Sequence, residues 1–344
     1  MQAAGVKAIE YYLPDHVLTN SQLVAEFPEW TVGKIEEKTG IIERHIAAEE
    51  ECSSDLGVAA AQKLFVSGVC QPSEIDYLLL CTQTPDYFLP TTACIMQNRL
   101  GIPTTAGALD FNLGCSGFVY GLGLAKGLIE TGQARNVLLI TAETLSKFIH
   151  RGDKSVRTLF GDAAAATLVQ GVAPDASRKD PWIGPFVFGT DGSGAQNLIV
   201  PIGGMRHRYP RGDEKATLDE YGNLRTNDNL YMNGTEIFTF TLRVVPQAVK
   251  HLLSQTGKCL EEIDLFVFHQ ANQYMLEHLR KKLKIPEEKF YIAMRHCGNT
   301  VSATIPIALK HALEEGMLQP GHQVMLVGFG VGYSWGATLL RWAV

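Results

Sequence analysis

Three side chains in this chain have the types and settings from which thioester chemistry is built: Cys115 in ALDFNLGCSGFVYGL, His269 in LFVFHQAN and Asn299 in RHCGNTVSATIPIAL. Cys115 stands where a strand-like run meets a glycine-flanked thiol and then a helical pattern. At such a strand-to-helix elbow a sulfur feels the positive end of the helix dipole and nearby amide donors, which favour thiolate and prepare a nucleophile for a thioester carbonyl. Taken alone, the same thiol also reads as a small buried core residue. His269 emerges from the carboxyl end of a buried strand, where α/β proteins commonly place ligands. A lone histidine there is equally well read as a satisfied structural residue. Asn299 sits in an irregular Gly-containing segment before a Ser, Ala, Thr and Pro stretch that opens a helix, and its plain reading is a helix cap.

Placing such residues requires buried strands joined by helices. Short apolar runs rich in Leu, Val and Ile alternate with Ala-rich helical patterns, as in an α/β protein. YLLLCT at 77–82 and NVLLITAE at 136–143 read as buried strands, and the helical stretch GFVYGLGLAKGLIETG between them stops at Gly132. The second half repeats this plan. EIDYLLLCTQTPD resembles EIDLFVFHQANQ, and GLAKGLIETGQARNVLLI resembles ALKHALEEGMLQPGHQVMLV, so a duplicated unit of about half the chain is expected. The division is expected near 175–185, within or beside the Pro-, Asp- and Ser-containing GVAPDASRKDPW, giving halves of 1–178 and 179–344. The charged stretch at 203–229, poor in apolar residues, reads as a long surface loop or cap. Gly328, Gly330 and Gly332 in GFGVG lack the spacing of a phosphate-binding loop, and too little chain follows for a βαβ unit. They predict a tight turn between two buried strands, with room for an amide to face a site.

With 344 residues the chain exceeds the usual size of one core, and its 46% hydrophobic and 19% charged residues fit a soluble globular protein. A net charge of -6 argues against a surface built to neutralise nucleic-acid phosphate. Seven cysteines without C-x-x-C spacing fit free thiols in a reducing compartment better than a disulfide framework or a zinc site. The opening MQAAGVKAIEYYLP has no basic region followed by an apolar one, and no segment approaches the roughly 18 apolar residues of a membrane span. A cytoplasmic protein with neither nucleic acid nor membrane as partner is expected.

Four ordered motifs, NLGCSGF, HQAN, GNT and the closing GFGVGYSWG, resemble the beta-ketoacyl-carrier-protein synthase III family along essentially the whole chain. YYLPDHVLTNSQL, EKTGIIERHIA, FGDAAAA and YMNGTEIF match the family's equivalent segments. The resemblance implies a five-layer αβαβα thiolase-like fold, a homodimer, and Cys115, His269 and Asn299 as the catalytic set. In that chemistry Cys115 takes an acyl group from acyl-CoA, a substrate rather than a cofactor, and no metal is called for. His269 and Asn299 then donate hydrogen bonds to the malonyl thioester oxygen of malonyl-acyl carrier protein as carbon dioxide departs. The amides of Cys115 and of Val331 in the GFGVG turn are expected to form the oxyanion hole. The resemblance places Trp30 against the CoA adenine, with Lys154 as the basic partner and Lys38 nearby, Asn272 along the pantetheine arm, and Leu89 at the acyl pocket. Arg280, Lys281 and Lys282, on an otherwise acidic protein, suit docking of an acidic carrier.

Departures from the family pattern point to a specialised member. Leu89 stands where Phe is frequent before Pro90, Val331 replaces a usual glycine and restricts the backbone there, and Tyr274 and Thr239 occupy positions that are often basic. Two rival readings follow from the same residues: an acyl-Cys115 intercepted by an amine, alcohol or water without condensation, and an inactive partner of a heterodimeric synthase. The intact His269 and Asn299 pair favours condensation, and the complete set argues against an inactive partner.

Overall fold

The computed structural model describes residues 2–172, 183–208 and 215–342. The expected division at 178/179 therefore lies outside the described residues, and the chain is next seen at Ile183. The first half runs β1 (Ala3–Tyr12), β2 (His16–Thr19), α1 (Asn20–Glu26), α2 (Val32–Thr39), β3 (Glu43–Ile46), α3 (Ser53–Val66), β4 (Tyr77–Cys81), α4 (Thr92–Arg99), β5 (Gly107–Phe111), α5 (Gly117–Glu130), β6 (Asn136–Glu143), α6 (Lys154–Arg157) and β7 (Ala163–Val172). The second half continues with β8 (Ile183–Thr190), the two-residue strands β9 (Leu198–Ile199), β10 (Thr217–Leu218), β11 (Leu224–Arg225) and β12 (Tyr231–Met232), then α7 (Gly234–Thr256), β13 (Leu265–Phe268), α8 (Gln273–Leu283), α9 (Thr304–Glu314), β14 (Gln323–Gly330) and β15 (Ser334–Arg341).

Two sheets carry the architecture, one ordered β1-β7-β6-β4-β5 and the other β8-β15-β14-β13. Their pairings follow the same pattern. β4 lies parallel to β6 as β13 lies parallel to β14, and both sheets continue through two antiparallel neighbours. The fifth strand of the second sheet is reduced to a single parallel bridge between Phe266 and Phe290, where the first sheet has the full β4–β5 pairing.

The unbroken apolar runs of these strands follow from having both faces covered. In β4, Leu79 faces inward to a core shared with α5 and α9, whereas Leu78 and Leu80 face outward under α3 and α4. In β14, Val324 and Leu326 join that same central core while Met325 and Val327 pack under α7 and α8. Helix, sheet, helix, sheet, helix is thus the layer order, and it is the expected five-layer thiolase-like fold. A buried Leu in such a layer contributes roughly 1.5–3 kcal/mol relative to exposure.

The stretch at 203–229 differs from a free surface loop. β10 and β11 pair as a small antiparallel ribbon, Leu224 donates its amide to the Gly152 carbonyl at 3.1 Å, and Leu230 donates to Phe148 at 2.8 Å. Arg225 pairs with the buried Asp153 at 2.8 Å and lies over the Tyr231 ring. Within the described residues Arg225 joins Asp219 to Asp153, so the expected loop or cap is tied to the 148–157 segment.

Candidate active site

Cys115 follows β5 directly and precedes the first turn of α5, so the elbow read from the sequence is present. Gly117 opens the helix because a Cβ there would lie 2.2 Å from the Cys81 sulfur. The end of β14 passes behind the nucleophile: a Cβ at Gly330 would lie 2.9 Å from the Cys115 sulfur, and one at Gly328 would lie 2.8 Å from the Ser116 Cα. The GFGVG glycines are therefore close-approach residues at a strand end, and the turn after them joins β14 to β15 as expected. Left-handed backbone in this turn falls on Gly332 (φ 134°) rather than on Val331, so the Val side chain is accommodated.

The thiol is 6% exposed. Burial pushes it up to about 12, the nearby Glu143 carboxyl adds to the rise, and hydrogen bonds from the amides of Cys115 and Val331 pull the other way. Burial thus opposes the thiolate that the elbow and the two amides favour. The amides of Cys115 and Val331 lie within reach of the sulfur.

His269 ends β13 and is buried, with its amide bonded to the Val327 carbonyl and its ring edge-on to Phe329 at 5.5 Å between centroids. Burial lowers its pKa to about 3, so the imidazole is neutral across the physiological range. Nδ1 lies 2.7 Å from Thr304 Oγ1, which is also 3.0 Å from the Val301 carbonyl. That hydroxyl has one proton and two acceptors in reach. When it donates to Nδ1, the imidazole carries its own proton on Nε2.

Asn299 is fixed by its neighbours. The Val301 amide donates to Asn299 Oδ1 at 3.0 Å, which turns Nδ2 the other way, toward the Ala271 carbonyl at 3.4 Å. Val301 adopts φ 54°, a left-handed conformation that a β-branched residue takes only when its surroundings impose it. The reading of Asn299 as a helix-entry cap holds in part, since its Oδ1 takes the Val301 amide of the turn at 301–303 that runs into α9, while Ala303 precedes α9 itself.

A cavity of about 850 Å³ opens beside Cys115, lined among others by Leu145, Phe148, Phe160, Leu198, Leu230 and Val301. His269 and Asn299 are not in its wall. They stand behind it, joined to it through Val301 on one side and the Phe329–Gly330 strand end on the other.

The remaining expected residues separate. Trp30 is flanked by Lys38 at 5.5 Å and by Lys34 at 5.2 Å, while Lys154 pairs with Glu29. Asn272 caps α8 by accepting from the Met275 amide at 2.8 Å. Leu89 is 82% exposed, and it is Tyr87 and Phe88 that reach the cavity wall. Arg280 is neutralised by Glu277 and Glu287, Lys282 donates to the Leu242 carbonyl, and Lys281 is exposed.

Four participants went unread in the sequence: Lys34, Val301, Thr304 and Glu143. Glu143 left a signal, an acid closing the otherwise uncharged strand NVLLITAE. Among the described residues no group of three or more His, Cys, Asp or Glu is arranged to hold a metal, and no helix is long and apolar enough to cross a membrane.

Comparison with known proteins agrees along the whole chain. The family model described as 3-Oxoacyl-[acyl-carrier-protein (ACP)] synthase III matches residues 109–192, and the model of its C terminal part matches 253–342. A beta-ketoacyl-[acyl-carrier-protein] synthase III of Caldanaerobacter subterraneus subsp. tengcongensis is 38% identical, over 99% of this chain and 98% of that protein. A crystal structure of a 3-oxoacyl-(acyl-carrier-protein) synthase III superposes with a TM-score of 0.95 at 54% identity, covering 99% of this chain and 100% of that one. A 3-oxoacyl-(acyl-carrier protein) synthase of Burkholderia xenovorans LB400 superposes with a TM-score of 0.90 at 37% identity, covering 99% and 95%.

Proposed function

The chain belongs to the beta-ketoacyl-[acyl-carrier-protein] synthase III family, and from that premise we propose how its residues divide a two-step reaction. It is an acyltransferase of the 3-oxoacyl-[acyl-carrier-protein] synthase III type, a condensing enzyme. In the first step the Cys115 sulfur attacks the carbonyl of an acyl-CoA. The amides of Cys115 and Val331 hold the oxyanion, the thioester bond to CoA breaks, and the thiol proton leaves on the CoA sulfur. The acyl chain then lies in the apolar cavity beside Cys115.

In the second step malonyl-acyl carrier protein loses carbon dioxide, and His269 and Asn299 donate to the thioester oxygen on which enolate charge develops. A neutral imidazole suits this role, because it stabilises the charge by hydrogen bonding without protonating the carbon nucleophile. The enolate carbon attacks the acyl-Cys115 carbonyl, the C–S bond breaks, and the released sulfur takes up a proton as the 3-oxoacyl product leaves. The observation that carries this reading is the pair of amides directed at a buried sulfur that opens onto an apolar cavity.

The wider assignments belong to the same proposal. Trp30 with Lys34 and Lys38 receives the CoA nucleotide, Lys154 stands beside them on Glu29, Asn272 flanks the arm, and Lys281 leads docking of the acidic carrier because Arg280 and Lys282 are already engaged. A homodimer is favoured by apolar side chains left uncovered: β5 is an edge strand, Leu124 and Phe188 are exposed, and Tyr87, Phe88 and Leu89 are 63%, 75% and 82% exposed. Covering such side chains is a usual reason for association. We place the protein in the cytoplasm, where seven thiols stay reduced.

The test is to incubate the purified protein with acyl-CoAs of graded length, read the covalent mass gain, and then add malonyl-acyl carrier protein. An acyl adduct absent from Cys115→Ala, followed by carbon dioxide and a ketoacyl product, is expected. An adduct that never condenses would mean a plain acyltransferase, and no adduct with any donor would mean an inactive partner.

A further inference from the structure

We propose that Glu143 is a positioning residue that sets both donors of the condensation step through the turn at 299–304. The inference rests on the reading of His269 and Asn299 given above. Glu143 closes β6 with its side chain wholly buried, and the reaction as described makes no use of it. An acid in that place is held by its partners or it is a liability.

Its partners come from both halves of the chain. Oε1 lies 2.7 Å from Ser302 Oγ, at the centre of the turn that carries Asn299. Oε2 accepts from the Gln83 amide at 3.0 Å and from Thr84 Oγ1 at 3.4 Å, in the loop that walls the cavity by Cys115. Ser302 is flanked by the two contacts that orient the donors. On one side the Val301 amide holds Asn299 Oδ1, and on the other Thr304 Oγ1 holds His269 Nδ1. A turn with a left-handed Val301 needs an external tie to keep that shape, and the Ser302–Glu143 bond supplies it from the opposite sheet. The two elbows are in contact at this point, since a Cβ on Gly117 would lie 3.6 Å from the Ser302 Cβ.

Burial raises the Glu143 pKa to about 8, against the lowering by Ser302 Oγ, the Gln83 amide and Thr84 Oγ1, each of which donates to the carboxylate. A glutamine keeps both ties, with Oε1 accepting from the Gln83 amide and Nε2 donating to Ser302 Oγ, so that this one bond runs the other way.

Ser302→Ala, Glu143→Gln and Glu143→Ala are compared with wild type in two separate assays: the burst of CoA released as acyl-CoA loads Cys115, and carbon dioxide release from malonyl-acyl carrier protein by the loaded enzyme. Thermal melts accompany both. Displacing donors by part of an ångström gives S302A a loss of about 10- to 100-fold in carbon dioxide release with the burst rate nearly intact. E143A shows the same loss with some slowing of the burst, because Gln83 is released too, and E143Q restores condensation close to wild type. Wild-type protein that loads but never releases carbon dioxide overturns the proposed reaction and this role with it. Wild type that condenses while S302A loses both rates by equal factors, or neither, overturns the role of Glu143 alone, as does an E143Q as impaired as E143A.

Discussion

The elbow before α5 and the elbow before α9 occupy matching places in the two sheets, yet one presents the proposed nucleophile from a regular frame, and the other presents Asn299 and the Thr304 hydroxyl that meets His269 from an irregular one. In the first half β5 pairs with β4 along its length and only three residues separate Phe111 from Cys115. In the second half the matching strand survives only as the Phe266–Phe290 bridge, and the chain up to α9 is free of regular strand. A sulfur needs only to be held beside two amides, which a strand end and a helix start can do. Two donors that must converge on one oxygen need backbone groups aimed to order, and only an irregular turn offers that freedom. Strain marks the place. Val301 in the left-handed region costs on the order of 1–3 kcal/mol, and its amide and carbonyl are the groups that reach Asn299 and Thr304.

If the halves divide the chemistry in this way, lesions in the second should spare the first step. His269→Ala and Asn299→Ala are each expected to lower carbon dioxide release by about 100- to 1000-fold while the acyl adduct on Cys115 still forms. Equal loss of adduct in either variant would break the division. A smaller effect sharpens the role of the turn. If the Thr304 hydroxyl donates to Nδ1 rather than to the Val301 carbonyl, Thr304→Val removes that proton, so ¹⁵N resonances of His269 should shift toward the Nδ1-protonated form, with condensation down by about 10- to 100-fold. Unchanged resonances would show that the hydroxyl serves Val301 alone.

The gentlest probe concerns the first half. Because burial holds the Cys115 thiol up to about 12, the reactive thiolate fraction of the free enzyme is small at neutral pH and grows as pH rises toward that value. Alkylation of Cys115 by iodoacetamide should therefore climb about tenfold per pH unit between pH 7 and 10. A plateau below pH 8 would mean that the helix end and the two amides outweigh burial after all. Neutral His269, with its pKa lowered to about 3, should contribute no acid limb to condensation between pH 5 and 7.

Much of this molecule was legible before any coordinates. The strands at 77–82 and 136–143, the glycine stop at Gly132, and the repeat that pairs β4 with β13 and α5 with α9 were all readable. The layer order followed from the resemblance, while the apolar runs gave buried strands alternating with helices. Binding residues were less legible. Lys154 was expected at Trp30, but Glu29 holds it, and the cations near the ring are Lys34 and Lys38, one and two turns along the adjacent helix. The stretch at 203–229 was read as a surface loop or cap, and the ties of Leu224 and Arg225 to the 148–157 segment were not legible because their partners lie far away in the chain.

Sequence by itself determined the elements and pointed to the groups proposed to react, because apolar periodicity, glycine placement and motif order are local properties of the chain. Tertiary structure alone decided the protonation of Cys115 and His269, which depends on how much water the packed layers exclude. It alone decided the aim of the donors too, since Ser302 and Glu143 lie far apart in the chain and meet only when the two sheets close on the helices between them.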